Sequence, residues 1–206
     1  MFIAITMARA GSKRLPGKNT KSLCNKPLCV YTFELMRKSD RLEECYSFSD
    51  DAVFNSIANT HSISTEFHRS SEVSGDSCSS DETLASFVSQ YLSSNKTINL
   101  VETHIVLLQP TSPLRDIEHL NKALNLYEKV KPECLVSGYL RHNEFHRNGA
   151  IYILSLERFI KSQKITPGQP LEFIMSEEQS VDIDTHDDFK LAENILLGIE
   201  YGTSHR

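Results

Sequence analysis

Acidic side chains are missing from residues 1–33, where Arg9, Lys13, Arg14, Lys18, Lys21 and Lys26 stand without one Asp or Glu. The whole chain lacks any basic excess: its 206 residues carry 27 acidic against 22 basic groups, a net charge of −5. That excludes a general duplex binder, which needs a broad cationic face to neutralise phosphates, so no nucleic acid is expected as a partner. Cysteine is sparse, at 5 residues (Cys24, Cys29, Cys45, Cys78, Cys134) with no C-x-x-C spacing, which argues against a disulfide framework and for reduced thiols serving as small core fillers. No apolar run approaches the ~18 residues of a membrane span. The largely apolar stretch 2–8 is followed rather than preceded by basic residues, the wrong order for a secretory signal, so a soluble, cytoplasmic protein without membrane contact is expected. No internal repeat or interdomain linker is visible. With 39% apolar and 24% charged residues, the chain suits one core and a single domain over 1–206.

What is present is uneven. The basic N-terminal pole contrasts with residues 172–193, where Glu172, Glu177, Glu178, Asp182, Asp184, Asp187, Asp188 and Glu193 face only Lys190. A small anion at one end and a cation at the other are expected. Apolar runs alternating with helix-period segments predict an α/β fold: a mainly parallel sheet covered by helices. Strands are expected at 2–6, 45–49, 104–108, 134–137 and 150–154, with a short one at 64–68. Helices are expected from Pro27 (Leu28, Tyr31 and Leu35 on one face), at 51–60, over Ile117, Leu120, Leu124 and Tyr127, and at 187–197 with Phe189, Ala192, Ile195 and Leu196 inward. Between 47 and 94 there are 15 serines, read as solvated loop and helix surface.

Three segments carry chemistry. A-R-A-G-S-K-R-L-P-G-K-N, from Ala8 to Asn19, directly follows the first strand, where open α/β sheets bind ligands. Gly11 and Gly17 allow close backbone approach, Ser12 and the amides donate to phosphate oxygens, and Arg9, Lys13 and Lys18 supply positive charge, which together suit a triphosphate. L-L-Q-P-T-S-P-L-R, 107–115, ends the central strand: Gln109 offers a donor and an acceptor, Thr111 or Ser112 suits a helix cap, and Arg115 falls in the first turn beyond it. S-V-D-I-D-T, 180–185, read as an extended strand, puts Asp182 and Asp184 on one face and Val181 and Ile183 on the other. Two adjacent carboxylates repel unless a cation joins them, and Mg²⁺ is typically held by one or two carboxylates with water and substrate phosphate.

Other motifs fail on detail. The glycines of the first segment are spaced wrongly for a P-loop, and Asn19 stands where Ser or Thr should bind magnesium. H-N-E-F-H at 142–146 is not the H-E-x-x-H zinc signature, and no G-x-S-x-G elbow occurs.

Taken together with S-D-D at 49–51, H-R-S-S-E at 68–72 and N-G-A-I-Y-I at 148–153, these segments resemble the acylneuraminate cytidylyltransferases, the CMP-sialic acid synthetase family, which is related to the CMP-Kdo synthetases. The resemblance implies a Rossmann-like three-layer α/β/α nucleotidyltransferase that couples CTP to a nonulosonic, sialic-type keto-sugar acid and releases pyrophosphate. It implies that Ala8, Arg9, Gly11, Ser12, Lys13, Lys18, Asn19, Arg69, Ser77 and Ser79 contact the nucleotide, and that Lys13, Lys18 and Asp184 serve catalysis. Gln109 and the segment before Asn148, with His146 or Arg147, would face the sugar acid, and Asp182 and Asp184 would ligate Mg²⁺. Family members carry some tens of residues in an arm that clasps a second subunit. Here 138–147 is a short remnant, so a homodimer would be weakened or altered. A non-catalytic nucleotide-binding homologue or partner subunit, and transfer to another sugar acid such as Kdo, stay open as alternatives.

Overall fold

The computed structural model describes residues 1–75, 77–94 and 98–199. Its first strand, β1 (Phe2–Ala8), shows why the N-terminal apolar run folds as it does: alternation sends Phe2, Ala4 and Ala8 to one side and Ile3 and Ile5 to the other, and both sides are covered. A small hairpin of β2 (Ser22–Leu23) and β3 (Lys26–Pro27) follows, then α1 (Leu28–Lys38), β4 (Glu44–Ser49), α2 (Ala52–Thr60), α3 (Ser80–Ser94) and β5 (His104–Leu107). The remainder is α4 (Ile117–Val130), β6 (Cys134–Arg141), β7 (Glu144–Ser155), α5 (Leu156–Ser162), β8 (Leu171–Ile174) and α6 (His186–Leu196).

Six strands make one sheet in the order β4-β1-β5-β7-β6-β8, in which β7 runs against the other five. Helices α1, α2 and α4 cover one face through Phe33, Met36, Phe54, Leu120, Leu124 and Tyr127. On the opposite face α3 and α5 pack Leu84, Phe87, Tyr91, Leu156 and Phe159. This is the mainly parallel, helix-covered sheet expected from the alternation of segments, in the three layers that the resemblance implies. A third apolar cluster joins Leu15, Leu23, Leu28, Ile183, Phe189 and Ala192, so the basic loop and the acidic segment are packed together through their apolar residues.

Several local expectations are corrected. The strand expected at 64–68 reduces to a single bridge from Ser64 to Tyr46, because the chain then turns to bury Phe67 against Tyr46 and Phe87. The strands expected at 134–137 and 150–154 extend into one hairpin that takes up 138–147 and turns at His142 and Asn143, with φ 52° and 64°. A two-residue connection with both residues left-handed matches the twist of paired strands. Residues 181–184 belong to no strand; a 3-10 turn at Glu178–Ser180 precedes them. The cap of α4 is Asp116, which accepts from the His119 N–H, so neither Thr111 nor Ser112 caps it and Arg115 lies outside the helix. In α6, Phe189 and Ala192 are buried but Leu196 is exposed. The cysteines are free, with Cys29 and Cys134 in the core.

His104 gives the fold a testable pH dependence. It sits against Phe2 and Tyr127, whose hydroxyl is 3.2 Å from its Nδ1. Burial, and then the nearby α-amino group, lower its pKa from 6.5. The folded state therefore disfavours protonation, so this contribution to stability is complete above the unfolded-state value and is lost as pH falls through the lower folded-state value. Urea midpoints taken between about pH 7.5 and 5 should fall on acidification, and fall less in His104→Phe. Equal slopes for the two proteins would refute the assignment.

Candidate functional site

From β1 the chain passes to β4 on one side and later to β5 on the other. The loops leaving the carboxyl ends of β1 and β5 therefore part and open a crevice, the usual ligand position in such sheets. It is a cleft of about 350 Å³. The basic loop supplies Arg9, Ser12, Lys13, Lys18 and Asn19, and the β5 loop supplies Gln109 and Thr111. Arg69 and Asp184 complete the walls.

Each wall has a local cause. The Ala10 N–H donates to Asp50 Oδ1 at 2.9 Å, tethering the start of the basic loop to the end of β4. The loop then buries Leu15 and reverses at Gly17, whose φ of 65° precedes the 3-10 turn Lys18–Thr20. That turn aims Lys18 inward and buries Asn19, whose Oδ1 has no hydrogen-bond partner among the described residues. Across the cleft, Ile183 is buried with Leu15 and its N–H donates to the Thr111 carbonyl at 2.9 Å. The alternation read from S-V-D-I-D-T thus survives without a strand. Arg69 spans the rim, donating from Nε to the Val73 carbonyl (2.9 Å) and from a guanidinium nitrogen to the Ala8 carbonyl (3.1 Å). Burial lowers its pKa, an effect the Asp50 carboxylate opposes.

Positive charge on one wall meets the acidic segment on the other. Asp184 receives Lys18 Nζ on Oδ1 and the Arg14 guanidinium on Oδ2, each at 2.8 Å. Asp182 keeps surface open to solvent, yet protein encloses it closely enough that burial pushes its carboxyl above the usual carboxylate range. A hydrogen bond from the Thr111 hydroxyl opposes that shift and the Asp184 carboxylate adds to it. Gly149, at φ +71°, lies under this pair: a Cβ there would stand 3.3 Å from Gln109 Oε1 and 3.6 Å from Asp182 Oδ2. Gln109 and Asp182 therefore converge over a position that only glycine fills without strain. Gly149→Ala should strain the backbone and push Gln109 aside, costing about 1–3 kcal/mol of stability in urea denaturation; an unaltered midpoint would contradict this.

The structure brings together Ala8, Arg9, Ser12, Lys13, Lys18, Asn19, Arg69, Gln109 and Asp184 around the cleft. Gly11 is exposed and contacts nothing where a Cβ would be. Ser77 and Ser79 do not line the cleft; Cys78 and Ser80 do. Ser79 instead accepts from the Glu82 N–H at the start of α3 while its own hydroxyl and N–H are held by the Glu82 carboxylate. His146 and Arg147 also lie off the cleft: His146 stacks on Tyr139 across the hairpin and Arg147 reaches Thr166 at 3.4 Å. Asp50 and Gly149 were missed as site-forming residues, although S-D-D and N-G-A stood out as blocks.

The donor set suits a hard divalent cation. Asp184 lines the cleft, Asp182 does not line it but converges with Gln109 over Gly149, and Asn19 in the cleft wall carries a buried oxygen without a hydrogen-bond partner among the described residues, all hard oxygen donors. Among the described residues no group of three or more His, Cys, Asp or Glu forms a cage. A cation here would depend on ligand phosphates to complete its shell, as Mg²⁺ commonly does.

Comparison with known proteins identifies a family and a shared fold. A family model described as cytidylyltransferase matches residues 3–151. The N-acylneuraminate cytidylyltransferase of Escherichia coli O18:K1:H7 is 31% identical over 94% of the chain, which spans 52% of that protein's length. The CMP-N,N'-diacetyllegionaminic acid synthase of Legionella pneumophila is 28% identical over 95% of the chain and 96% of its own length. Among solved structures, a CMP:2-keto-3-deoxy-manno-octonic acid synthetase complexed with CTP superposes with TM-score 0.69 at 13% identity, covering 96% of this chain and 98% of that one. A cytidylyltransferase from Leptospira borgpetersenii gives TM-score 0.69 at 17% identity, covering 97% and 88%.

Proposed function

The chain belongs to the cytidylyltransferase family, and from that premise we propose that it transfers the CMP part of CTP to a nonulosonic keto-sugar acid and releases pyrophosphate. The observation that carries the reading is the facing of the basic loop and Asp184 across one cleft at the ends of β1 and β5. The spread of similar proteins over acylneuraminate, legionaminic and pseudaminic acid enzymes supports the acceptor class.

In the proposed reaction the acceptor's anomeric hydroxyl oxygen attacks the α-phosphorus in line. A new P–O bond forms, the bond to the bridging oxygen of the β-phosphate breaks, and the hydroxyl proton leaves to solvent. No covalent enzyme intermediate is required, so catalysis rests on positioning and charge neutralisation. Lys13 and Lys18, with Arg9, hold the triphosphate and offset charge developing on the departing pyrophosphate. Ser12 and Asn19 donate to phosphate or ribose oxygens. Gln109 orients the acceptor through its paired donor and acceptor. Asp182 and Asp184 would hold Mg²⁺, which supplies Lewis-acid neutralisation of the phosphates.

The test is pyrophosphate release with Mg²⁺, each of the four nucleoside triphosphates in turn and a panel of keto-sugar acids. Release that requires CTP and one nonulosonic acid would establish the reaction, and preference for an eight-carbon acid such as Kdo would move the acceptor. The placement of His146 and Arg147 away from the cleft favours a second reading, a nucleotide-binding subunit without its own acceptor site. CTP binding with no release from any pair would bring that reading forward.

A further inference from the structure

Beneath the acidic segment lies a buried polar cluster with no place in the chemistry above. Asn148, on β7, is 3% exposed. Its Oδ1 accepts from Ser137 Oγ at 2.6 Å and from the Ala150 N–H at 3.0 Å. Its Nδ2 donates to Ser180 Oγ at 2.9 Å and lies 3.3 Å from Met175 Sδ. Ser137 Oγ accepts in turn from the Ile151 N–H at 2.7 Å, and the Ser180 hydroxyl donates to the Ser176 carbonyl at 2.7 Å. Burying a carboxamide and two hydroxyls is costly unless each is satisfied, and here each is. Such a network contributes a unique geometry more than net stability.

Chain order identifies what that geometry controls. Ser180 ends the 3-10 turn, and Asp182 and Asp184 follow two and four residues later in a segment without strand partners. One side of this segment is held by the Ile183 N–H on the Thr111 carbonyl, and the other is anchored through Ser180 to Asn148. We propose that Asn148, acting through Ser180, is a positioning residue for Asp182 and Asp184: it sets where the two carboxylates stand relative to the basic loop and Gln109, and so the affinity of the cleft for a divalent cation bound with nucleotide. The proposal rests on the reading of the two aspartates as metal ligands. Outer-shell partners of metal-binding carboxylates commonly govern affinity in this way.

Mn²⁺ is the probe, with its free concentration followed by electron paramagnetic resonance in the presence of CTP. CTP binding in EDTA and thermal midpoints are measured beside it. Ser180→Ala removes one buried hydrogen bond without adding bulk and should bind Mn²⁺ about tenfold more weakly, with unchanged metal-free CTP affinity. Ser180→Thr, which keeps the hydroxyl, should bind Mn²⁺ as the wild type does. A merely structural serine would lower the midpoint and leave both affinities alone, which would overturn the proposal. Wild-type Mn²⁺ affinity in Ser180→Ala together with its loss in Asp184→Asn would overturn the positioning role and leave the metal reading standing. Equal Mn²⁺ affinity in Asp184→Asn and the wild type would remove the metal reading and the proposal with it.

Discussion

Asp184→Asn should lower kcat for pyrophosphate release by about 10²–10³-fold while the protein remains folded, the magnitude typical of deleting one electrostatic element from a preorganised site. Asparagine keeps the shape of the side chain and removes its charge. The charge matters twice, because Asp184 lines the cleft, where we propose that it holds a cation, and is the carboxylate paired with both Lys18 and Arg14. Its loss would weaken the proposed grip on a phosphate-bound metal and leave the Lys18 ammonium without this counter-charge. Stability should change little, since partly exposed ion pairs of this kind contribute only ~0–1 kcal/mol. The cap of α6 is also untouched: Thr185 accepts from the Asp188 N–H, not Asp184. Steady-state assays at saturating Mg²⁺ and CTP check the rate, and calorimetric unfolding checks the fold. A variant with wild-type kcat under those conditions would exclude Asp184 from the chemistry.

Arg115→Ala is expected to have the opposite signature, a stability loss of about 3–5 kcal/mol. Arg115 is 5% exposed and donates to the Gln109 carbonyl (3.2 Å), the Ala150 carbonyl (2.6 Å) and Thr32 Oγ1 (2.7 Å). It thereby ties the end of β5 to β7 and α1 directly behind the cleft. Burial alone pushes its guanidinium down to about 9, so it stays charged at neutral pH. Truncation leaves buried acceptors unpaired at about 1–3 kcal/mol each and opens a cavity, and removal of the buried charge offsets part of that cost. Arg115→Met fills the volume and should lose less. Urea denaturation decides the matter: an alanine variant as stable as the methionine variant would show that the cavity does not dominate, and a methionine variant as stable as the wild type that the unpaired acceptors do not.

The contrast between these two residues shows what could be read from the chain. Asp184 was legible because its signal is local: a period-2 alternation of apolar and acidic residues beside a one-sided basic loop elsewhere. The same kind of signal exposed the strands β1 and β5, whose burial on both faces leaves continuous apolar runs. Arg115 was visible as part of a motif, but its burial was not, because its acceptors come from Thr32 and Ala150, remote in sequence. The hairpin end at 138–147 was likewise opaque. Its residues are largely polar, and their strand pairing follows from the register of the β6–β7 ladder below and the turn at His142 and Asn143.

Composition, spacing and period were enough to determine the fold class, the place of the cleft at the end of β1 and the existence of a cationic loop and an acidic segment, though not that the two meet. Those properties depend on where apolar residues must go and on charges set close together along the chain. Tertiary structure alone decided which groups meet: Asn148 under Ser180, Gly149 beneath Gln109 and Asp182, Ser79 turned to its own helix, and His146 and Arg147 turned away from the cleft. The physical reason is that a buried polar group is placed by whichever partner satisfies it, and such partners are brought near only when distant segments pack.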